Sequence, residues 1–175
     1  MHRRHVLSGL LGAAALPLMR ASAFAAGAAD TPPIEPVRKS ESEWRRVLTP
    51  AQFEVLRGEG TERPGSSTLL HEQRAGEYLC AGCGLALFTS DMKYDSGTGW
   101  PSFTTTLPGR VQTRRDFKLI LPRTEYHCAR CGGHQGHLFD DGPPPTGQRW
   151  CNNGIALSFV PSGAGGTAPD RRRSG

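Results

Sequence analysis

The chain holds 175 residues with a formal net charge of +5, a length that suits a single domain with additions at its ends. The positive charge is terminal. Arg3, Arg4 and Arg20 lie at one end and Arg171, Arg172 and Arg173, beside Asp170, at the other, so Asp30 to Pro169 carries 15 basic and 15 acidic side chains. A neutral body argues against nucleic-acid binding, which needs a basic patch on the folded domain.

Residues 1–29 are expected to form an export signal. Arg3-Arg4 lead into an apolar run from Val6 to Leu18, too short for stable membrane insertion. Ala21-Ser22-Ala23 or Ala23-Phe24-Ala25 then suits a signal peptidase. The paired arginines resemble a twin-arginine address, although His5 and Val6 fit it loosely. An ordinary secretory signal or an uncleaved anchor is the alternative. Twin-arginine export to the periplasm moves folded proteins, so a thiolate–metal site would be loaded in the reducing cytoplasm first.

Residues 30–40 are Pro-rich and polar and read as a linker. The domain is expected over 41–161, and the Gly/Ala/Pro/Arg-rich stretch 162–175 as a disordered basic tail. Ser40 and Glu43 stand at capping-box spacing before a short helix with Trp44, Val47 and Leu48 as its apolar face. Thr49, Pro50 and Gln52 start a second helix, with Phe53 and Leu56 on one side and Gly58 as the stop. From Gly76 the pattern turns to short strands: Glu77–Leu79, Leu85–Phe88, Val111–Thr113, Phe117–Leu121, Glu125–His127, Leu138–Phe139, Arg149–Cys151 and Ile155–Val160. Asp141 to Gly147 is a rigid Pro/Gly turn. The predicted fold is mainly β, with two small antiparallel sheets around a compact core and short N-terminal helices.

Four of the five cysteines fall in two Cys-x-x-Cys pairs, Cys80/Cys83 and Cys128/Cys131, inside a weak repeat, Glu-Tyr-x-Cys-Ala-x-Cys-Gly. Two facing knuckles of this kind suit one tetrahedral zinc, and a site filled by four thiolates is structural rather than catalytic. Two disulfides are the alternative. Cys151 is left over and is the candidate nucleophile. It must ionise to react, and His134, His137 and Arg149 are the nearby groups able to help, with Asn153 able to orient reacting groups. The plainer readings are a buried structural cysteine, surface histidines, and a core role for Trp100.

The ordered motifs resemble the B-type peptide methionine sulfoxide reductases over roughly Glu43 to Pro161. They are Leu48-Thr49-Pro50-x-Gln52, Gly60 to Pro64, Cys80 to Gly84, Tyr94 to Phe103, Cys128 to Cys131, His134-x-Gly136-His137-Leu138-Phe139, Asp141 to Gly147, and Arg149-Trp150-Cys151-x-Asn153. The resemblance implies reduction of methionine-R-sulfoxide in proteins, and of the free amino acid. Cys151 attacks the sulfoxide sulfur and becomes a sulfenic acid. His134 and His137, with Arg149 and Asn153, bind and polarise the sulfoxide oxygen and help protonate it as it leaves. Trp100, with Phe139, forms the pocket for the substrate methyl group. One structural zinc sits on the paired cysteines. Many members carry a resolving cysteine where this chain has Thr98, which implies a one-cysteine cycle closed by an external thiol, thioredoxin-like or small. Trp150 and Asn152 also vary from commoner forms. A monomer is expected. The competing class is a zinc-stabilised binding or chaperone-like module on the same scaffold.

Overall fold

The computed structural model describes residues 33–117 and 122–163. The expected export signal, Lys118 to Leu121, and the tail from Ala164 lie outside them. Two seven-residue helices come first, α1 (Glu41–Val47) and α2 (Pro50–Leu56). Each starts where the sequence places a capping box. The Ser40 hydroxyl accepts from the Glu43 N–H while the Glu43 carboxylate accepts from the Ser40 N–H, and Thr49 and Gln52 repeat the exchange with Pro50 in the first turn. Such reciprocal caps satisfy N–H groups that the helix itself leaves unpaired. Trp44 and Leu48 set the buried line of α1, and Val47 falls to one side of it at 57% exposure, contrary to the expected apolar face. In α2 both Val55 and Leu56 are buried, with Phe53 packed partly against the core.

The strands form two antiparallel sheets. The smaller contains β1 (Gly76–Cys80), β2 (Ala86–Thr89) and β9 (Leu157–Pro161) in the order β2-β1-β9. The larger contains β3 (Lys93–Tyr94), β4 (Ser102–Phe103), β5 (Val111–Asp116), β6 (Arg123–Cys128), β7 (His134–Phe139) and β8 (Arg149–Asn152), in the order β3-β4-β8-β7-β6-β5. Aromatic rings join the sheets. Phe88 of β2 stacks on Phe103 of β4 with centroids 3.9 Å apart, and Tyr78 of β1 meets Phe103 edge-on at 5.0 Å. Contacts of this kind add about 0.5–1.5 kcal/mol each beyond area burial.

Three strand boundaries depart from expectation. Residues 134–139 form one strand, so both histidines of the His-x-Gly-His motif lie in the ladder rather than before it. The final strand starts at Leu157, because Gly154–Ala156 is a 3-10 turn held by the Glu62 carboxylate, which accepts from the Gly154 and Ile155 N–H groups. Phe117, expected to open a strand, lies beyond β5 and is 72% exposed. The two-residue strands β3 and β4 were not expected, since a period-2 signal needs more residues.

The knuckles form where the repeat predicts. Gly84 and Gly132 both have positive φ, and their N–H groups donate to the carbonyls of Cys80 and Cys128 at 2.8 Å. Helix α2 packs over them: Arg57 Nη1 donates to the Cys131 carbonyl at 2.9 Å, and Leu56 lies against Gly133. The Pro-rich stretch ahead of α1 is docked too. The Val37 N–H donates to the Arg130 carbonyl at 2.8 Å, and Ile34 and Val37 pack against the core.

Candidate active site

Cys151 lies near the C-terminal end of β8, between two strands. In the register, Ser102 of β4 faces it on one side and His137 of β7 on the other. Directly opposite residues of an antiparallel ladder share a face, so the folding of β7 beside β8 places an imidazole next to the thiol. Gly136 permits this approach: a Cβ there would stand 1.9 Å from the Cys151 carbonyl oxygen.

The thiol opens into a cavity of about 270 Å³ lined by Thr61, Thr98, Trp100, Arg123, Gly136, His137, Phe139, Arg149, Cys151, Asn152 and Asn153. That volume is small for a drug-sized ligand and suits one amino-acid side chain. Trp100 is fixed by its Nε1–H donating to the Glu62 carbonyl at 3.1 Å. The Arg149 guanidinium lies over the Phe139 ring, 4.2 Å from its centroid, and makes a bidentate pair with Asp141 at 2.7 and 2.8 Å. Asn153 reaches the cavity, but its amide is committed to the backbone. Its Oδ1 accepts from the Glu62 N–H and its Nδ2 donates to the Gln135 carbonyl.

The two histidines separate in role. His137 lines the cavity, and its Nε2 lies 2.9 Å from Asp116 Oδ2. A carboxylate only accepts, so Nε2 carries the proton and Nδ1 is left with its lone pair. His134 does not line the cavity. It is fully buried, its ring 5.4 Å from the His137 ring and its Nδ1 3.2 Å from Glu125 Oε2. Of the two histidines, His137 alone lines the cavity.

Burial dominates the ionisation of these groups. It pushes the Cys151 thiol above its ordinary value, against the pull of the Arg149 charge and a hydrogen bond with Thr98. It lowers His137, against the hydrogen bond to Asp116. It lowers His134 to about 4, with the neighbouring His127 and His137 adding to the effect. At neutral pH the resting site thus holds a protonated thiol and neutral imidazoles.

Sequence reasoning missed the carboxylates that hold these groups. Asp116 and Glu125 are both buried in the sheet beside the histidines, and Arg114 and Arg123 pair with Glu125 and Asp116 respectively. No periodic signal marked them: Gln112 to Arg115 of β5 are all exposed before Asp116, and Glu125 to Cys128 of β6 are all buried, so neither strand alternates.

The second site is built from the knuckles. Cys80, Cys83, Cys128 and Cys131 have sulfurs all within 4.8 Å of one another, with Cys80–Cys131 at 3.6 Å and Cys83–Cys128 at 3.5 Å. A tetrahedron with metal–sulfur bonds of about 2.3 Å has sulfur–sulfur edges of about 3.8 Å, so the four thiols fit one ion after slight expansion. All five cysteines are free of disulfides. Gln135 Nε2 donates to Cys80 Sγ at 3.3 Å, a bond that suits a thiolate.

A half-buried thiol in the larger sheet and a separate cluster of four cysteines share one small, mainly β domain, and residues 48–161 match the SelR domain. Over 124 residues the chain is 52% identical to the peptide methionine sulfoxide reductase MsrB of Methanosarcina barkeri, covering 70% of this chain and 87% of that protein. It is 54% identical over 126 residues to the MsrB of Bradyrhizobium diazoefficiens, covering 71% and 91%. The chain belongs to the B-type peptide methionine sulfoxide reductase family. Among solved structures, the 'Yippee-like' domain of Mis18 aligns with 14% identity and a TM-score of 0.40, covering 50% of this chain and 96% of that one.

Proposed function

We propose that this chain reduces methionine-R-sulfoxide in proteins by attack of Cys151 on the sulfoxide sulfur, in a one-cysteine cycle closed by an external thiol. The observation that carries the reading is the cavity: it joins the Cys151 thiol, its cross-strand neighbour His137 and the aromatic walls Trp100 and Phe139, in a chain half identical to MsrB enzymes.

The substrate methyl group lies against Trp100 and Phe139, and the sulfoxide oxygen faces His137, with Arg149 beside the sulfur. Neutral His137 takes the thiol proton on Nδ1 while Asp116 holds Nε2–H, which is general base catalysis with an oriented imidazole. The same proton returns to the sulfoxide oxygen. In sum, thiol and sulfoxide become sulfenic acid and thioether. A reductant thiol then displaces the sulfenic oxygen as water and leaves a mixed disulfide. A second thiol releases Cys151 and carries away the disulfide. His134 and Asn153 act one step back, supporting His137 and the cavity wall.

Zinc is the ion we assign to Cys80, Cys83, Cys128 and Cys131, on their softness and tetrahedral spacing. Its binding energy stabilises the fold, and no step passes through it. Residues 1–29 are proposed as the export signal that takes the enzyme to the periplasm. Among the described residues no helix is long and apolar enough to cross a membrane.

The test is single-turnover reduction of each epimer of an N-acetylated methionine sulfoxide by zinc-loaded protein without added reductant. About one methionine per Cys151 from the R epimer, abolished in Cys151→Ser and accompanied by a dimedone-trapped sulfenic acid, supports the reading. No turnover by reduced, zinc-loaded protein with either epimer overturns it in favour of a binding module.

A further inference from the structure

Behind His137 the larger sheet holds a further set of ligand-type side chains. Glu125 and His127 stand two apart on β6 and share a face, and His134 of β7 lies directly across from His127 in the register. All three are buried, at 3%, 8% and 0% exposure. His127 Nδ1 lies 3.3 Å from the Gly132 carbonyl oxygen. A carbonyl only accepts, so Nδ1 carries the proton, and the Nε2 lone pair is left 3.5 Å from Glu125 Oε1. Two acceptors therefore face each other. His134 Nδ1 lies 3.2 Å from Glu125 Oε2. Yet among the described residues neither ring nitrogen of His134, nor Nε2 of His127, has a hydrogen-bond partner. Buried polar groups are nearly always satisfied. A proton serves one ring nitrogen at a time, whereas a single cation serves both rings and the carboxylate together.

We infer that Glu125, His127 and His134 form a second metal site, separate from the four-cysteine cluster, for a borderline divalent transition ion of the Zn2+ kind. One ligand atom from each residue falls within 4.8 Å of the others. Metal–nitrogen and metal–oxygen bonds of about 2.0–2.1 Å make tetrahedral ligand edges of about 3.3 Å, which the 3.2 and 3.5 Å approaches of the imidazoles to the carboxylate already match. Imidazole suits such ions, and the Gly132 carbonyl sets the His127 tautomer, as outer partners of ligating histidines do. Arg114 also donates to Glu125, but it is half-exposed and shares its charge with Glu59. A carboxylate has about four lone-pair sites, so Glu125 serves Arg114 and the ion at once. A second grouping, Asp116, Glu125 and His137, has similar spacing. There, however, His137 is already hydrogen-bonded to Asp116, and Asp116 to Arg123, so that set is satisfied without an ion. Three protein ligands leave a fourth position for water, so the ion at Glu125, His127 and His134 is held more weakly than one closed in by four thiolates.

The test starts from untagged protein whose four-cysteine cluster is already filled with zinc, dialysed against Zn2+ or Co2+. The wild type is expected to take up one further ion per chain. With Co2+ that ion should show the weak visible bands of nitrogen and oxygen ligands, with no added sulfur charge-transfer absorption. With Zn2+, long-range 1H–15N NMR should show the ring nitrogens of His127 and His134 moving, while those of the exposed His71 stay in place. His127→Leu is expected to weaken the second ion by more than about a hundredfold, beyond the loss caused by removing an outer partner, and to keep the first. Retention of the cluster zinc and of a cooperative thermal transition shows that the variant is folded. His127→Asn, which keeps a polar side chain, repeats the measurement if the leucine variant fails that check. A wild type that holds one ion only overturns the site. So does a second ion that the His127 variants bind equally well, as adventitious binding at surface histidines would give. None of these readouts uses a sulfoxide, so the metal site and the reductase reading stand or fall separately.

Discussion

Cys151 is held by opposed forces at the scale of single atoms, and their balance sets its pH behaviour. Burial raises the thiol and the Arg149 charge pulls it back. A raised pKa keeps the proton to higher pH, so the thiolate fraction, and with it kcat/KM, climbs about tenfold per pH unit up to the folded value. Removing the charge in Arg149→Met is expected to push the rising limb further toward alkaline pH. A profile flat between pH 6 and 8 would contradict this. The neighbouring Asp116 accepts from both His137 and Arg123. In Asp116→Asn the imidazole loses its orienting carboxylate, and kcat is expected to fall on the order of a hundredfold with KM little changed, in line with a general-base contribution. Steady-state kinetics on folded, zinc-loaded variant checks it. Cys151, His137, Trp100, Phe139 and Arg149, each read from a short local motif, all line one cavity. Asp116 and Glu125 were not legible, because what brings them to the histidines is the pairing of β5 with β6 and of β6 with β7, and pairing leaves no mark on one strand's sequence.

Single elements show the same division. The helices were readable from their caps, since a capping box is a local exchange of hydrogen bonds between residues three apart. The strand β7 was read too short, because His-Gln-Gly-His has little β propensity and is held in the ladder by its neighbours. Its critical residue is Gly136, whose missing side chain lets the backbone of β8 pass. Gly136→Ala is expected to cost roughly 1–3 kcal/mol in stability, in the range of overpacked interior sites, and to lower activity more than stability alone explains by pushing Cys151 out of register with His137. Denaturant unfolding together with kcat on the folded fraction separates the two effects. An alanine variant with wild-type stability and rate would mean that β8 yields freely at this point.

For the whole molecule, the six-stranded sheet, the smaller sheet and α2 are tied together at the two knuckles. Chelation of the ion, or Cys83→Ser, is expected to lower the melting temperature by more than 10 °C and to reduce activity indirectly, as the sheet bearing Cys151 loosens. Calorimetry with parallel metal analysis measures it, and an unchanged transition after complete metal loss would contradict a structural ion. The mainly β class and the four-cysteine cluster were visible in the sequence because the Cys-x-x-Cys-Gly repeat states them twice. The order of the strands was not, since it depends on which short segments find each other across long separations.

Two sulfur pairs of the cluster approach to 3.5–3.6 Å across the knuckles, Cys80 to Cys131 and Cys83 to Cys128. An oxidant strong enough to expel the ion would therefore meet thiols already matched across the two halves of the chain. The expected products are cross-links 80–131 and 83–128, which peptide mapping after peroxide treatment would reveal. Domains stapled in this way would keep their two sheets joined after the metal is gone, and oxidative damage at the cluster would trade one kind of covalent tether for another while leaving the thiol at Cys151 in place.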